Sequence, residues 1–145
     1  MTDSINIKNR RAYYDFEILD TYIAGMQLLG TEIKSIRLGH VTIRDAHCYF
    51  DNGELFVKGV KIEPFKEAAH NNHDPERAKK LLLNKKEITR ISKDIDAGRV
   101  VVCTKLFINE RGLAKLEIAT ARGKKKSDKR ETIKKRESDR ELKQI

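Results

Sequence analysis

Histidines and carboxylates are the residues most able to do chemistry, and two groupings approach known site patterns. His70 and His73 enclose two asparagines and precede Asp74, and imidazole with carboxylate can ligate a metal ion. The surrounding stretch FKEAAHNNHDPER is polar, however, and predicts a loop without an obvious third strong ligand. We therefore interpret both histidines as part of a solvated polar loop.

A nuclease-like site could also be assembled from Asp45 with His47, or from Glu32 near Lys34. A chain with 22 acidic residues offers many such pairs, so this pattern is not specific. The sequence has no phosphate-binding glycine loop, no Gly-x-Ser-x-Gly motif and no Cys-x-x-Cys pair. We expect no catalytic residue, no metal ion and no cofactor, and keep a small metal-dependent nuclease as a third hypothesis.

Clusters of basic residues predict binding rather than catalysis. Arginine and lysine at fixed spacing on rigid elements suit phosphate and ribose contacts, and a neighbouring ring can stack on an unpaired base. Any one such residue could equally serve solubility, but several clusters together favour an anionic partner. The clusters are Asn9-Arg10-Arg11 beside Tyr13 and Tyr14, Lys34 with Arg37, and Arg77 with Lys79 and Lys80.

The net charge is concentrated at the C-terminal end. Charged residues make up 37% of the chain, and the formal net charge is +9. From Arg122 onward there are 11 Lys and Arg against 5 Asp and Glu, which is +6 of that total. This asymmetry indicates a polyanion. Nucleic acid fits better than a membrane, because the tail has no apolar helical face.

The remaining composition indicates a cytoplasmic protein. The N-terminus has no apolar signal-like region, and no apolar run approaches the length of about 18 residues that a membrane span needs. Cys48 and Cys103 each lie in an apolar segment, which favours buried free thiols over a disulfide.

Alternation and turn residues predict strands along most of the chain. We expect a strand over 12–19, with Tyr14, Phe16 and Ile18 on one face, and a short strand over 26–29. Asn52-Gly53 between alternating segments predicts a type I′ hairpin. Further strands are predicted through 60–62, over 100–108 and over 113–119.

Capping signals predict three helices. Thr31 begins the first over TEIKSIR, and Gly39 ends it. Asp74-Pro75-Glu76 predicts the start of a second helix. Asn84 with Glu87 resembles a capping box for a third, whose buried stripe would be Ile88, Ile91 and Ile95. The fold class is mainly β with α: an OB-like small antiparallel β-barrel of about six strands with three helices, the alternative being a split α+β sandwich.

The tail has little apolar surface to bury. Glu131 and Lys135 attract each other at i, i+4, whereas Arg136–Arg140 and Glu137–Glu141 repel. We expect it to be disordered alone and helical against a surface that neutralises its charge. The predicted division is a body over 1–121 and a basic tail over 122–145.

Several ordered motifs carry a resemblance over almost the whole chain. They are NRRAYYDFEI, AGMQLLGTEIKSIR, DPERAKKLLLN, KLEIATARGKK and SDKR. With them the sequence resembles the SsrA-binding protein family, also called small protein B, the bacterial partner of transfer-messenger RNA. The family's OB-like fold agrees with the barrel predicted above.

The resemblance implies a non-enzymatic role in ribosome rescue. The body would grip the tRNA-like domain of transfer-messenger RNA and enter a stalled ribosome with it. There the protein would stand in for codon–anticodon pairing at the decoding centre, with its tail helical in the empty message channel. Elongation factor Tu with GTP would deliver the alanyl-charged RNA. We expect a monomer with no membrane partner.

The resemblance also implies residue roles. The RNA-binding set is Asn9, Arg10, Gly25, Glu32, Lys34, Arg77, Lys80, Leu82 and Asn84, and the ribosome-directed tail set is Gly123, Lys124, Lys125, Asp128, Lys129 and Arg130. Three positions depart from the family pattern. Ile23 stands where members commonly have Glu, and Ser127 and Ser138 stand where an aromatic residue (or His, at the first) is common. The alternative function is a generic OB-fold RNA-binding or ribosomal protein with a basic extension.

Overall fold

The computed structural model describes residues 5–68 and 70–124 of the chain. Its strands are β1 (Asn6–Lys8), β2 (Phe16–Met26), β3 (Val41–Thr42), β4 (His47–Asp51), β5 (Glu54–Lys58), β6 (Lys61–Ile62), β7 (Lys79–Leu82), β8 (Val100–Ile108) and β9 (Ala114–Gly123). Its helices are α1 (Arg10–Asp15), α2 (Gly30–Arg37) and α3 (Lys85–Asp96), with a 3₁₀ turn at Lys66–Ala68. Within these ranges, no helix has the length and hydrophobicity that crossing a membrane requires.

Six antiparallel strands close into a ring. Their order is β8-β4-β5-β7-β2-β9, and β9 pairs back onto β8. β1 adds to β8 outside this ring, and β3 with β6 forms a separate two-stranded ladder. The prediction of a small antiparallel barrel of about six strands is confirmed. A split sandwich is excluded, because the ring has no open edge between β8 and β9.

Alternating side chains of the ring fill its interior. Leu55 and Val57 of β5, and Leu106, Leu116 and Ile118 of β8 and β9, are all 0% exposed. A closed barrel of this size has an interior just wide enough for its inward side chains. The outward positions of the same strands are consequently free to carry polar and aromatic groups.

Two local predictions are confirmed in detail. Asn52 and Gly53 have φ values of 51° and 78° between β4 and β5, as a type I′ turn requires. In α3, the Glu87 amide donates to Asn84 Oδ1 over 2.9 Å, and the Asn84 amide donates to Glu87 Oε1 over 3.2 Å. Ile91 of this helix is fully buried.

Helix α2 also forms where predicted, but it begins earlier. Its N-cap is Leu29 rather than Thr31, and Glu32 Oε1 accepts the Leu29 amide over 2.7 Å. Ile36 is fully buried, as expected, and Ile33 is only partly buried against the core.

The strand predicted over 12–19 is correct only from Phe16 onward, and no separate strand forms over 26–29. Residues 10–15 form α1, in which Arg11 pairs with Asp15 at 3.2 Å and i, i+4 spacing. A single strand, β2, then runs from Phe16 to Met26. Alternation alone does not distinguish the start of this strand from the short helix before it, and Gly30 begins a helix rather than ending a strand.

The predicted helix at Asp74-Pro75-Glu76 is also wrong. Asp74 Oδ1 accepts the Glu76 amide at 2.9 Å, and the Asp74 carbonyl accepts the Arg77 amide at 3.2 Å, which makes a single turn. The chain then enters β7, which pairs with both β5 and β2. Pairing on two sides outweighs the local capping signal.

His73 is not part of a solvated loop, contrary to our interpretation. Its side chain is 6% exposed. Nδ1 lies 2.9 Å from Thr31 Oγ1, and Nε2 lies 2.9 Å from the Ile62 carbonyl. His73 therefore joins α2 to β6, while His70 is exposed as expected.

Both cysteines are free and buried, which confirms the sequence interpretation. Burial, with a smaller contribution from the neighbouring Cys103 thiol, raises the pKa of the Cys48 thiol well above its ordinary value. Because this pKa is higher in the folded than in the unfolded protein, the contribution of the protonated Cys48 thiol to folding stability is fully present below the ordinary thiol pKa. That effect is lost as the pH rises toward the folded value.

We predict that the native protein reacts slowly with a chromogenic disulfide reagent, because a buried thiol does not supply thiolate. In denaturant both thiols should react at once, and this total serves as the control. Rapid reaction of either thiol in native protein at neutral pH would contradict the buried arrangement.

Candidate nucleic-acid interface

Outward side chains of β2, β7, β8 and β9 form a continuous surface, here called the outer sheet face. Strand register places Phe107 beside Lys115, Lys115 beside Gly25, and Gly25 beside Leu82. Next to this row, Lys105, Glu117 and Ile23 form a second one. The complete face is Ile23, Gly25, Lys80, Leu82, Lys105, Phe107, Lys115 and Glu117.

Gly25 lets its two cross-strand neighbours on this face approach the backbone closely. A Cβ placed there would lie 3.4 Å from Leu82 Cβ and 3.5 Å from Lys115 Nζ. The Leu82 side chain and the Lys115 ammonium group therefore lie directly over Gly25, which is buried beneath them. Leu82 is 50% exposed and Ile23 is 47% exposed.

The sequence-predicted residues Gly25, Lys80 and Leu82 are brought together on this face, and Asn84 follows two residues after Leu82 as the N-cap of α3. Lys80 points outward and its Nζ lies 3.1 Å from Glu54 Oε1. Exposed ion pairs of this kind are weak. Lys80 can therefore exchange its carboxylate for a phosphate at small cost.

Glu32 and Arg77 form a bidentate ion pair at the entry to β7. Arg77 Nη2 donates to Glu32 Oε1 over 2.6 Å, and Arg77 Nε donates to Glu32 Oε2 over 3.1 Å. The Glu32 side chain is 0% exposed and that of Arg77 is 34% exposed. Arg77 Nη2 also donates to the Gln27 carbonyl over 3.0 Å, which places the guanidinium at the end of β2.

Lys79 lies inside the barrel, opposite in direction to Lys80. It is fully buried, and its Nζ donates to the Val60 carbonyl over 2.7 Å and stands 4.0 Å from Glu32 Oε2. Burial lowers the pKa of Lys79, and the Glu32 carboxylate opposes this. The predicted cluster of Arg77, Lys79 and Lys80 on one helix is therefore wrong, because a strand sends alternate residues to opposite sides.

Asn9 and Arg10 lie at the border of the outer sheet face. Asn9 is 6% exposed, and its Nδ2 lies 2.9 Å from the Cys103 carbonyl and 3.2 Å from that of Ile43, so it fixes the start of α1. Arg10 lines a pocket of about 420 Å³ with Lys8, Tyr13, Lys105 and Glu117, which joins α1 to the sheet.

A wider cleft of about 590 Å³ lies on the other side of Asn9. Its charged lining residues are Lys8, Arg10, Arg11 and Arg44, and no acidic residue of the described part of the chain contributes to it. The outer sheet face therefore continues into a cationic region at α1.

Lys34 stands apart from these residues. It is exposed on α2, with its Nζ 5.5 Å from the centre of the Phe65 ring. Among the predicted tail residues, Gly123 ends β9. The Lys124 amide donates to the Asp15 carbonyl over 3.0 Å, and its Nζ donates to the Tyr13 carbonyl over 2.8 Å. Lys125, Asp128, Lys129 and Arg130 lie outside the described residues, as do Ser127 and Ser138.

Sequence reasoning missed Lys105 and Lys115. Both strands that carry them were predicted, and the alternation of Lys105 with Leu106, and of Lys115 with Leu116, marks them as outward. Strand register, which brings Lys115 beside Gly25, could not be read from either segment alone.

The described residues contain no group of three or more His, Cys, Asp or Glu side chains arranged to hold a metal ion. The arrangement is thus a basic and partly apolar sheet surface on a small closed barrel, which defines a nucleic-acid-binding class of protein.

Comparisons with known proteins agree with this class. The SmpB protein family matches residues 6–145. An SsrA-binding protein of Bacteroides thetaiotaomicron is 52% identical over 140 residues, covering 96% of this chain and 93% of that protein. One from Christiangramia forsetii is 50% identical over 146 residues, covering 100% and 93%.

A solved structure described as "tmRNA-SmpB: a journey to the center of the bacterial ribosome" contains a similar chain. It has 40% identity and a TM-score of 0.70, covering 88% of this chain and 94% of that one. The chain belongs to the SmpB protein family.

We predict that Glu32→Gln lowers the free energy of unfolding by about 3–5 kcal/mol, because it leaves a buried lysine without its counter-charge. Urea denaturation measures this. Glu54→Gln is the matched control, since it removes the carboxylate of the exposed Lys80 pair and should cost at most about 1 kcal/mol. Equal effects of the two substitutions would contradict a structural role for the buried pair.

Proposed function

We propose that this protein binds the tRNA-like domain of transfer-messenger RNA, the SsrA RNA, through the outer sheet face and the adjoining α1 region. The observation that carries the proposal is the cross-strand row in which Lys115, Gly25 and Leu82 are neighbours. Its cation suits a phosphate, and its exposed apolar side chain, Leu82, suits a nucleoside. The relatives that share nearly the whole chain are SsrA-binding proteins.

Apart from Lys34, which lies away from this surface, the predicted RNA-binding residues divide into two roles in this proposal. Gly25, Lys80, Leu82 and Arg10 face outward or line the surface pocket, and these touch RNA, with Asn84 at the margin. Asn9 and Glu32 are positioning residues, because both are buried and hydrogen-bonded. Glu32 holds the Arg77 guanidinium at the edge of the face, where a partly exposed arginine can still meet a phosphate.

Ile23 is an apolar contact on this surface, at the position where members of the family commonly have Glu. It stands next to Glu117 in the register. Thr104 Oγ1 donates to Glu117 Oε2 over 2.6 Å, which fixes that carboxylate at the surface. Glu117 thereby supplies a carboxylate acceptor on the neighbouring strand, directly beside the position where family members commonly have Glu and this chain has Ile23.

The complex would act on stalled ribosomes without catalysing a reaction itself. The body would bring the alanyl-charged RNA, delivered by elongation factor Tu with GTP, and would replace codon–anticodon pairing at the decoding centre. The basic tail would occupy the empty message channel as a helix, with Lys125, Asp128, Lys129 and Arg130 facing the ribosome. The name of the solved complex, which joins the SmpB protein to tmRNA and the ribosome, supports this role.

We predict that Lys115→Gln weakens binding to the tRNA-like domain and lowers the slope of log K against log salt by roughly 0.7–0.9, because one phosphate contact is lost. A filter-binding or fluorescence titration across a salt series measures both quantities. Lys61→Gln is the matched control, since Lys61 is an exposed strand lysine outside the ring. An unchanged slope in Lys115→Gln would place the RNA elsewhere.

A truncation after Lys124 separates the two parts of the protein. It retains all of β9 and the Lys124 contacts with α1. We predict affinity for the tRNA-like domain close to that of the full chain and a loss of tag addition on stalled ribosomes in a reconstituted translation assay. If the truncated protein loses affinity broadly and the full chain does not discriminate this RNA from tRNA, the generic basic-tail alternative is correct.

A further inference from the structure

We propose that Tyr49 and Phe56 form a stacking platform that receives an unpaired nucleobase of the bound RNA. This rests on the proposed function and extends it to a part of the barrel that neither the sequence motifs nor the predicted site residues include. The occupant is a base, recognised through its π face.

The two rings are built as one surface. Tyr49 of β4 and Phe56 of β5 are direct cross-strand partners, with ring centroids 5.9 Å apart and planes 21° from parallel. Each ring alternates with buried neighbours, Cys48 on β4 and Leu55 and Val57 on β5. Both rings therefore point outward, and both are half-buried rather than enclosed. Near-parallel rings at this spacing stack on each other, so that the pair forms one aromatic patch on the surface.

The platform is continuous with the outer sheet face. Phe56 pairs in register with Lys80 of β7, and Lys80 is two residues from Leu82 on the same side of that strand. A ligand bound across Gly25 and Leu82 thus reaches the rings without crossing an interruption in the sheet, because neighbouring strands lie about 5 Å apart.

Charge around the rings selects the class of ligand. Lys80 lies on one side of the platform, and Lys58, which pairs with the exposed His47, lies one outward position further along β5. In the other direction the next outward pair is Asp51 with Glu54, and Glu54 is held by Lys80 over 3.1 Å. Cations beside a flat aromatic surface match the two parts of a nucleotide, its phosphate and its base. An apolar peptide would use the rings but would gain nothing from the flanking lysines.

Substitution by leucine tests the platform while keeping its hydrophobicity. We expect Tyr49→Leu and Phe56→Leu each to weaken binding to the tRNA-like domain by about five- to 100-fold, the usual effect of losing one base–aromatic stack. The slope of log K against log salt should not change, since no phosphate contact is removed. Tyr49→Phe retains a ring and should bind as the unsubstituted protein does.

A second probe reports stacking directly. A short single-stranded RNA containing 2-aminopurine should lose fluorescence on binding to the full chain, and the leucine variants should not quench it. Leu38→Ala is the control, because Leu38 is 57% exposed on an unrelated part of the surface. It should preserve both affinity and quenching.

Several results would overturn the proposal. They are leucine variants that bind and quench normally, variants whose weaker binding comes with a lower free energy of unfolding, and an apolar peptide that competes with the RNA for the rings. Failure of the proposed function is distinguishable from all of these. In that case the unsubstituted protein would show no preference for the tRNA-like domain, whereas quenching of the single-stranded probe would still report on the platform.

Discussion

The pairing of β9 with β8 is the constraint on which the rest of the molecule depends, because it closes the ring. Once the ring is closed, each strand must send alternate side chains into an interior of limited width. Leu106 and Leu116 face each other inside, so Lys105 and Lys115 on the neighbouring positions are forced outside. The cationic surface is thus a direct consequence of the way the core is packed.

The closed ring also explains why charged groups are tolerated inside it. β7 has only four residues and must enter the ring between β5 and β2 after an irregular loop. Glu32 is the buried acceptor that satisfies the Leu29 amide and the Arg77 guanidinium, and it stands near Lys79. These bonds join the start of α2 to the entry of β7. They specify the register of a strand that is too short to specify it alone.

Much of this fold can be predicted from local sequence patterns. The predictions fail where strands that are distant in sequence decide the structure. The hairpin at Asn52-Gly53 and the capping box of Asn84 with Glu87 depend on neighbouring residues, and both were predictable. The segment that enters β7 was predicted as a helix because Asp74-Pro75 is a good helix start. Its actual state is decided by strands distant in sequence, which a local pattern does not contain.

The candidate site shows the same division. Gly25, Lys80 and Leu82 were identified through resemblance to a family, but only strand register reveals that they are neighbours. Lys115 lies beside Gly25 although 90 positions separate them in the numbering. The burial of Asn9 and Glu32 could not be predicted from the sequence, since polar residues are ordinarily exposed. Their hydrogen bonds to remote backbone and side-chain groups make the burial possible.

The first residues of the tail are held against the body of the protein by their own side chains and backbone. Arg122 donates to both carboxylate oxygens of Glu17, over 2.7 and 3.0 Å, and the hydrogen bond from Arg122 is the main cause of the lowered pKa of Glu17. Lys124 bonds to the carbonyls of Asp15 and Tyr13. The chain therefore leaves the barrel beside α1, where Arg10 and Arg11 line the cationic cleft. Exposed ion pairs contribute little stability, so the main effect of these contacts is to set the direction in which the chain leaves the barrel. The tail therefore starts at a defined point next to the outer sheet face and the cationic cleft, which are the surfaces that we propose bind RNA.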